Sequence, residues 1–216
     1  LCFVVQMGLR YIYLFNYLMY SMKEYGGVWN ATKSLFLEQN GTWCYVLEFL
    51  YFYIPLLTMG MVSKEFNSGS IRLLYSSPIS STQIILGKYF ALIFYAFVLM
   101  GVLAIYAFIG WATIKDFEVG LVWTGLGGLF LLTCTYLAVG LFVSSLTSYQ
   151  IISAVGTFMV LMLLSMVSKF GQQFDFVREV TYWLSIDGRA DTFLRGMICS
   201  EDLLYFPVVS ATFLAL

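Results

Sequence analysis

The sequence predicts an all-α membrane protein that crosses the bilayer several times. Of its 216 residues, 61% are hydrophobic and only 11% are charged, whereas a soluble domain is about 45–50% apolar and about 25% charged. The apolar residues form repeated runs of about 20, the length that a helix needs to cross the hydrocarbon. Lipid offers backbone groups no hydrogen-bond partner, so these runs are helices or closed-barrel strands. They are too continuously apolar for barrel strands, which alternate.

We predict six transmembrane helices in a single domain that covers residues 1–216. The spans are expected at about 1–22, 43–61, 84–111, 119–144, 151–167 and 203–216. The chain opens on Leu1 inside one apolar run and stops at Leu216 inside another. We therefore expect the first and last spans to be truncated.

Polar residues and a proline interrupt the first two spans. We expect Arg10 to snorkel to a membrane surface in preference to pairing with a buried polar partner. Pro55 is expected to kink the second span, because it removes a backbone hydrogen bond. Glu48 lies near the start of that span, and we favour a place at the interface over one on a transport path.

Small residues in the fourth span favour close contacts between helices. Gly125, Gly127 and Gly128 do not form a phosphate-binding loop, since no Lys-Ser/Thr follows them. We expect them to let a neighbouring helix approach, as Gly140 and Ser144 do at a four-residue interval.

The composition argues against several classes of site. The chain has no His, and its four cysteines are scattered without paired spacing, so we expect neither a zinc site nor His-based catalysis. A net charge of −1 without a basic stripe gives no reason to expect a nucleic-acid partner. No Gly-x-x-x-x-Gly-Lys-Ser/Thr occurs, so we expect no nucleotide site in this chain.

Residues 62–83 form a polar segment between the second and third spans, longer than a simple turn. A short interfacial helix is predicted inside it, from apolar residues that share one helical face: Ile71, Leu74 and Tyr75. Gly69 supplies a bend before this helix, and Pro78 ends it. We interpret the segment as a docking surface for a partner in the adjacent water.

The third span has its own start signal. Ser80 and Gln83 have the spacing of a capping box, in which each side chain bonds the backbone N–H of the other residue.

Residues 171–200 form the longest polar connection, and they are expected to be a hairpin at the membrane surface or a shallow re-entrant one. Two short helical patterns flank a break at Asp187-Gly188. Both patterns are too short and too charged to cross the bilayer.

Net charge favours a cytoplasmic place for the polar segment. Basic residues alone do not decide the side, because the opposite loops also hold several: Lys23, Lys33, Lys115, Lys169, Arg178, Arg189 and Arg195. Acids separate the sides, since Glu65 is the one acid of the polar segment and most others fall in the opposite loops. The segment is therefore net positive, with Lys64, Arg72 and Lys88 in or beside it, and we expect it in the cytoplasm.

The polar segment resembles the signature of ABC-2 type transporter permeases. Glu65, three residues, Gly69-Ser70-Ile71, then Leu74 and Ser77-Pro78-Ile79-Ser80 follow the pattern of that family, with Ser70 where Thr is more usual. Three further stretches resemble the family in the same order: 83–88, 140–150, and 193–198 followed by Asp202. The likeness covers most of the chain from Trp43 onward, and it is closest to the bacterial branch that includes gliding-motility-associated permeases.

The resemblance implies a six-span half-transporter in the bacterial cytoplasmic membrane. Such a permease pairs with a second copy or a related permease and binds cytoplasmic ABC ATPase subunits. ATP and Mg would be bound by those partners, and no cofactor is expected in this chain. The residues expected to couple to the ATPase are Glu65, Gly69, Ser70, Ile71, Arg72, Leu74, Ser77 and Pro78. The outer hairpin supplies the expected gate residues: Phe193, Arg195 and Gly196.

Two other functions remain open at the level of sequence. A lipid-processing membrane enzyme would use acids of the hairpin: Asp175, Glu179, Asp187 and Asp191. A non-transporting anchor of a larger machine would bind an ATPase without moving a substrate. An exporter permease explains the polar segment best, and the sequence does not specify its substrate.

Overall fold

A computed structural model describes residues 2–25, 31–37, 41–70, 80–114, 117–170, 189, 193–194, 197 and 200–215. Throughout this part of the chain the regular structure is α-helical, with no strand. Its helices are α1 (Cys2–Tyr25), α2 (Ala31–Phe36), α3 (Thr42–Thr58), α4 (Ser63–Ser68), α5 (Ser81–Thr113), α6 (Val119–Leu146), α7 (Gln150–Phe170) and α8 (Ser200–Ala215).

Within the described residues, three helical stretches are long and apolar enough to cross a membrane. The first is Thr42–Ser68, which consists of α3, a short turn and α4. The second and third are α5 and α6. The stretch Gln150–Met166 of α7 is also apolar but shorter. The prediction of an all-α polytopic membrane protein is confirmed. The count of six spans stays a prediction.

Helix α6 is the centre of the bundle. It packs against α3, α5, α7 and α8, and every residue from 132 to 141 is buried. A helix that is apolar all round belongs inside a bundle. By contrast, α5 buries one face and exposes large apolar side chains such as Phe94 and Phe97 on the other.

Small residues bring helices close to α6. A Cβ added to Gly140 would lie 2.4 Å from Thr58 Oγ1 of α3, and one added to Gly125 would lie 2.9 Å from the Trp43 indole nitrogen. The predicted close contacts are therefore confirmed at these two glycines. Gly127 is different, because it lies on the exposed face of α6 and no atom lies within 4 Å of an added Cβ. The prediction was wrong there.

The stretch between α1 and α3 contains a short packed helix, α2. Leu35 and Phe36, at the end of α2, are fully buried. The Phe36 ring lies 5.1 Å from that of Trp43 and 6.0 Å from that of Phe117. Two adjacent apolar side chains hold this short helix against the start of α3 and the residues before α6, and our sequence prediction did not include it.

Candidate coupling site

The first half of the polar segment begins with a turn after α3 and then forms α4. Val62 precedes the helix, and its carbonyl accepts the N–H groups of Glu65 and Phe66. Gly69 ends α4 at φ +71°, and its N–H bonds the Phe66 carbonyl. A side chain is strained at this φ, so the bend predicted at Gly69 is confirmed.

Ser144 of α6 holds the start of α4. Its hydroxyl oxygen accepts the N–H groups of Val62 and Ser63, each at 3.3 Å, and lies 3.4 Å from the Met59 carbonyl, to which it can donate. Ser63 also donates its hydroxyl to Met59 O. The first N–H groups of a helix need partners from outside it. The Ser144 hydroxyl is such a partner, and it comes from a helix more than 80 residues away in sequence.

Lys88 of α5 holds the same element from a second side. Its ammonium forms an ion pair with Glu65 and donates to the Met61 carbonyl at 2.6 Å. Both side chains are partly buried, with 17% of Lys88 and 29% of Glu65 exposed. An ion pair in this setting is screened less than a fully exposed one.

The start of α5 has the capping box expected from the sequence. Ser80 Oγ accepts from Gln83 N at 3.4 Å, and Gln83 Oε1 accepts from Ser80 N at 3.2 Å. This prediction is confirmed. The box fixes the direction in which the chain enters α5.

Helix α4 is thus attached to α6 through Ser144 and to α5 through Lys88. Its far side is open, with Lys64, Phe66 and Asn67 exposed. Phe66 is a large apolar side chain that is 39% exposed on this short polar helix. The geometry suits a rigid contact element, since force applied to α4 reaches two spans through hydrogen bonds and an ion pair.

Three of the eight predicted coupling residues lie in the described part of the chain. Glu65 holds Lys88, Gly69 ends α4, and Ser70 Oγ lies 2.9 Å from Ser68 Oγ. The other five lie outside the described residues: Ile71, Arg72, Leu74, Ser77 and Pro78. Ser144 was expected only as a small residue that allows close packing; its hydrogen bonds to the start of α4 depend on how α6 packs.

At the other predicted site, Phe193 is buried against α6. Its side chain occupies the space over Gly128, where an added Cβ would lie 2.3 Å from Phe193 Cβ, and its ring lies 6.0 Å from that of Phe206. Arg195 and Gly196 lie outside the described residues.

A buried ion pair beside Phe193 was not expected from the sequence. Arg189 donates to Asp202 of α8 at 2.7 Å, and their side chains are only 1% and 3% exposed. The guanidinium carbon lies 4.4 Å from the centre of the Tyr205 ring. The interaction joins residues 13 positions apart, a spacing that no helical or strand pattern indicates.

A comparison with protein families settles the class of the molecule. The family model for ABC-2 family transporter proteins matches residues 16–174. The chain belongs to the ABC-2 transporter family. No curated protein and no solved structure showed significant similarity to it.

Membership in this family makes the chain an ABC-2 permease, a transmembrane component of an ABC transporter. Helices α3 to α7, the last of which ends at Phe170, lie within the matched residues. The acids of the alternative lipid-processing site, Asp175, Glu179, Asp187 and Asp191, lie outside the described residues.

Proposed function

We propose that this ABC-2 permease is the membrane subunit of an exporter, and that α4 and the residues after it receive the motion of a separate cytoplasmic ATPase. ATP and Mg would be held by that ATPase. The permease would act as a pair, with a second copy or a related chain, in the bacterial cytoplasmic membrane.

The observation that carries this proposal is the double attachment of α4. A coupling element has to differ in its contacts between two states and pass that difference on. Here Ser144 and Lys88 connect α4 to α6 and α5, so a displacement of α4 reaches the centre of the bundle. The exposed Phe66 is an apolar anchor for a protein partner.

The outer hairpin would close the opposite end of the pathway. Phe193 packs over Gly128 of α6, and the Arg189–Asp202 pair fixes the same segment to α8. A movement of α6 would therefore reach the hairpin directly.

The test uses the tagged permease purified with its ATPase in proteoliposomes. Glu65→Lys places two ammonium groups together, and Gly69→Pro demands φ near −65° and removes the N–H that bonds Phe66. Both variants should still insert, and stimulation of ATP hydrolysis by the permease should fall about tenfold, the usual size of an allosteric coupling.

Lys33→Glu is the matched control, because it reverses one exposed charge on α2, far from α4. It should keep full stimulation. Normal stimulation in the Glu65 and Gly69 variants would count against docking at this element.

A further inference from the structure

A cationic group on α1 packs against an aromatic ring near the start of α3. Arg10 is half-buried, and its guanidinium carbon lies 4.9 Å from the ring centre of Tyr45 on α3 and 5.8 Å from that of Tyr13. Aromatic faces stabilise a guanidinium, but they satisfy none of its N–H groups. Its Nε is buried and has no hydrogen-bond partner within the part of the chain that the structure describes. Arg10 thus packs against Tyr45 near the start of α3, and its place relative to the membrane surface stays a prediction.

An anionic group lies one helical turn from that position. Glu48 follows Tyr45 by three residues on α3, and its side chain is exposed. Thr42 begins α3, so Glu48 lies about 9 Å along the helix from that end. The ion pairs seen among the described residues do not include it. The exposed carboxylate can therefore take a cationic group from outside the chain.

An apolar strip continues from Glu48 along the same face of α3. Phe52 and Leu56 follow at intervals of four residues and are 63% and 59% exposed. Phe52 also lies against Phe158 of α7, with ring centres 5.2 Å apart. The face is therefore charged towards one end and apolar along the rest.

We propose that Arg10 and Glu48 bind the headgroup of a zwitterionic phospholipid. The guanidinium would take the phosphate through its paired N–H groups, and the carboxylate would take the ammonium. The acyl chain would lie over Phe52 and Leu56. A purely anionic lipid would be repelled by Glu48, and a purely cationic one by Arg10.

This inference concerns a lipid that binds beside α1 and α3, and it stands independently of which molecule the permease moves. The binding itself needs no ATPase, so it can be measured separately from coupling at α4.

The experiment is native mass spectrometry of the purified chain in detergent, titrated with phosphatidylethanolamine, phosphatidylglycerol or a cationic diacyl lipid. We expect phosphatidylethanolamine to bind most tightly. Arg10→Gln should weaken its binding about tenfold, and Glu48→Gln should do so while improving phosphatidylglycerol relative to it. Arg10→Lys keeps the charge without the paired donors and should give a smaller loss.

Lys33→Gln and Glu201→Gln are the matched controls, because each removes one exposed charge away from this face. Both should leave the order of lipid affinities unchanged. Soluble phosphoethanolamine at millimolar concentration should not displace the lipid, since it lacks the acyl chain. Displacement by it would overturn the assignment to a membrane lipid.

Equal affinity for the three lipids, or unchanged binding in both Arg10→Gln and Glu48→Gln, would overturn the proposal. The proposal would also be overturned if Arg10→Gln and Glu48→Gln each converted a dimer into monomers without changing lipid binding. The face around Arg10 and Glu48 would then be an interface between two copies of the chain. Glu65→Lys should retain lipid binding. If Arg10→Gln and Glu48→Gln lose the lipid preference but keep full ATPase stimulation, the proposed permease function is unaffected.

Discussion

Ser144 shows how one hydroxyl can decide where an element begins. Its oxygen accepts two backbone N–H groups of the turn that opens α4, and Ser63 at that turn is fully buried. A buried donor that loses its partner costs about 1–3 kcal/mol. Ser144 therefore supplies the hydrogen bonds that join the start of α4 to α6.

We expect Ser144→Ala to lower the free energy of unfolding by about 1–3 kcal/mol, measured by denaturant unfolding in mixed micelles. ATPase stimulation should fall with it, because α4 is no longer held to α6. Ser145→Ala is the control, since Ser145 is exposed and bonds only the Phe142 carbonyl within its own helix. Equal losses of stability in Ser144→Ala and Ser145→Ala would show that the hydrogen bonds of Ser144 to the start of α4 do not stabilise the protein.

The close contact between Gly140 and Thr58 leads to a second prediction for a single residue. A methyl group there would meet the Thr58 side chain at 2.4–2.8 Å, so α3 and α6 would have to separate. Gly140→Ala should destabilise the protein by about 1–3 kcal/mol, as overpacked cores do. The melting temperature in detergent measures this. Gly127→Ala, where the added methyl meets nothing within 4 Å, should leave it unchanged or slightly higher.

At the scale of elements, the outer segment is joined to α8 by the Arg189–Asp202 pair. Removing one partner of a buried ion pair leaves a charge without compensation and costs about 3–5 kcal/mol, whereas replacing both by apolar residues is often neutral. The stacking of Tyr205 on the guanidinium adds to the cost of losing Asp202.

Asp202→Asn should therefore lower the melting temperature clearly, and the double variant Arg189→Met with Asp202→Leu should recover most of the loss. Glu201→Gln, at an exposed neighbouring position, is the control. If the double variant is no better than Asp202→Asn, the pair contributes through specific bonds that apolar packing does not replace.

The elements that sequence predicts are those with local causes. Apolar runs define α5 and α6, Ser80 and Gln83 define a helix start, and Gly69 defines a helix end. Contacts between distant residues, such as Ser144 with Ser63 or Arg189 with Asp202, depend on packing and leave no periodic signal. Helix α2 was missed for a related reason, since its two buried apolar residues become significant only beside Trp43.

At the scale of the whole molecule, α6 separates two functional ends. Its 28 residues span about 42 Å, from Glu118 to the region of Ser144. Glu118 N donates to Thr32 Oγ1 at 3.4 Å, which places α2 at the first end. Ser144 places α4 at the second end. The proposed coupling site and α2 therefore lie at opposite ends of α6, and we expect them on opposite sides of the membrane.

Charge predicts that the α4 end is cytoplasmic, and single cysteines test this directly. In a variant whose native cysteines are replaced, Phe66→Cys should react with a membrane-impermeant maleimide in inside-out vesicles but not in intact cells. Lys33→Cys and Glu118→Cys should show the reverse, because both positions are exposed at the other end. Labelling of Phe66→Cys from outside intact cells would put α4 beyond the reach of any cytoplasmic ATPase, and coupling through this element would then be physically impossible.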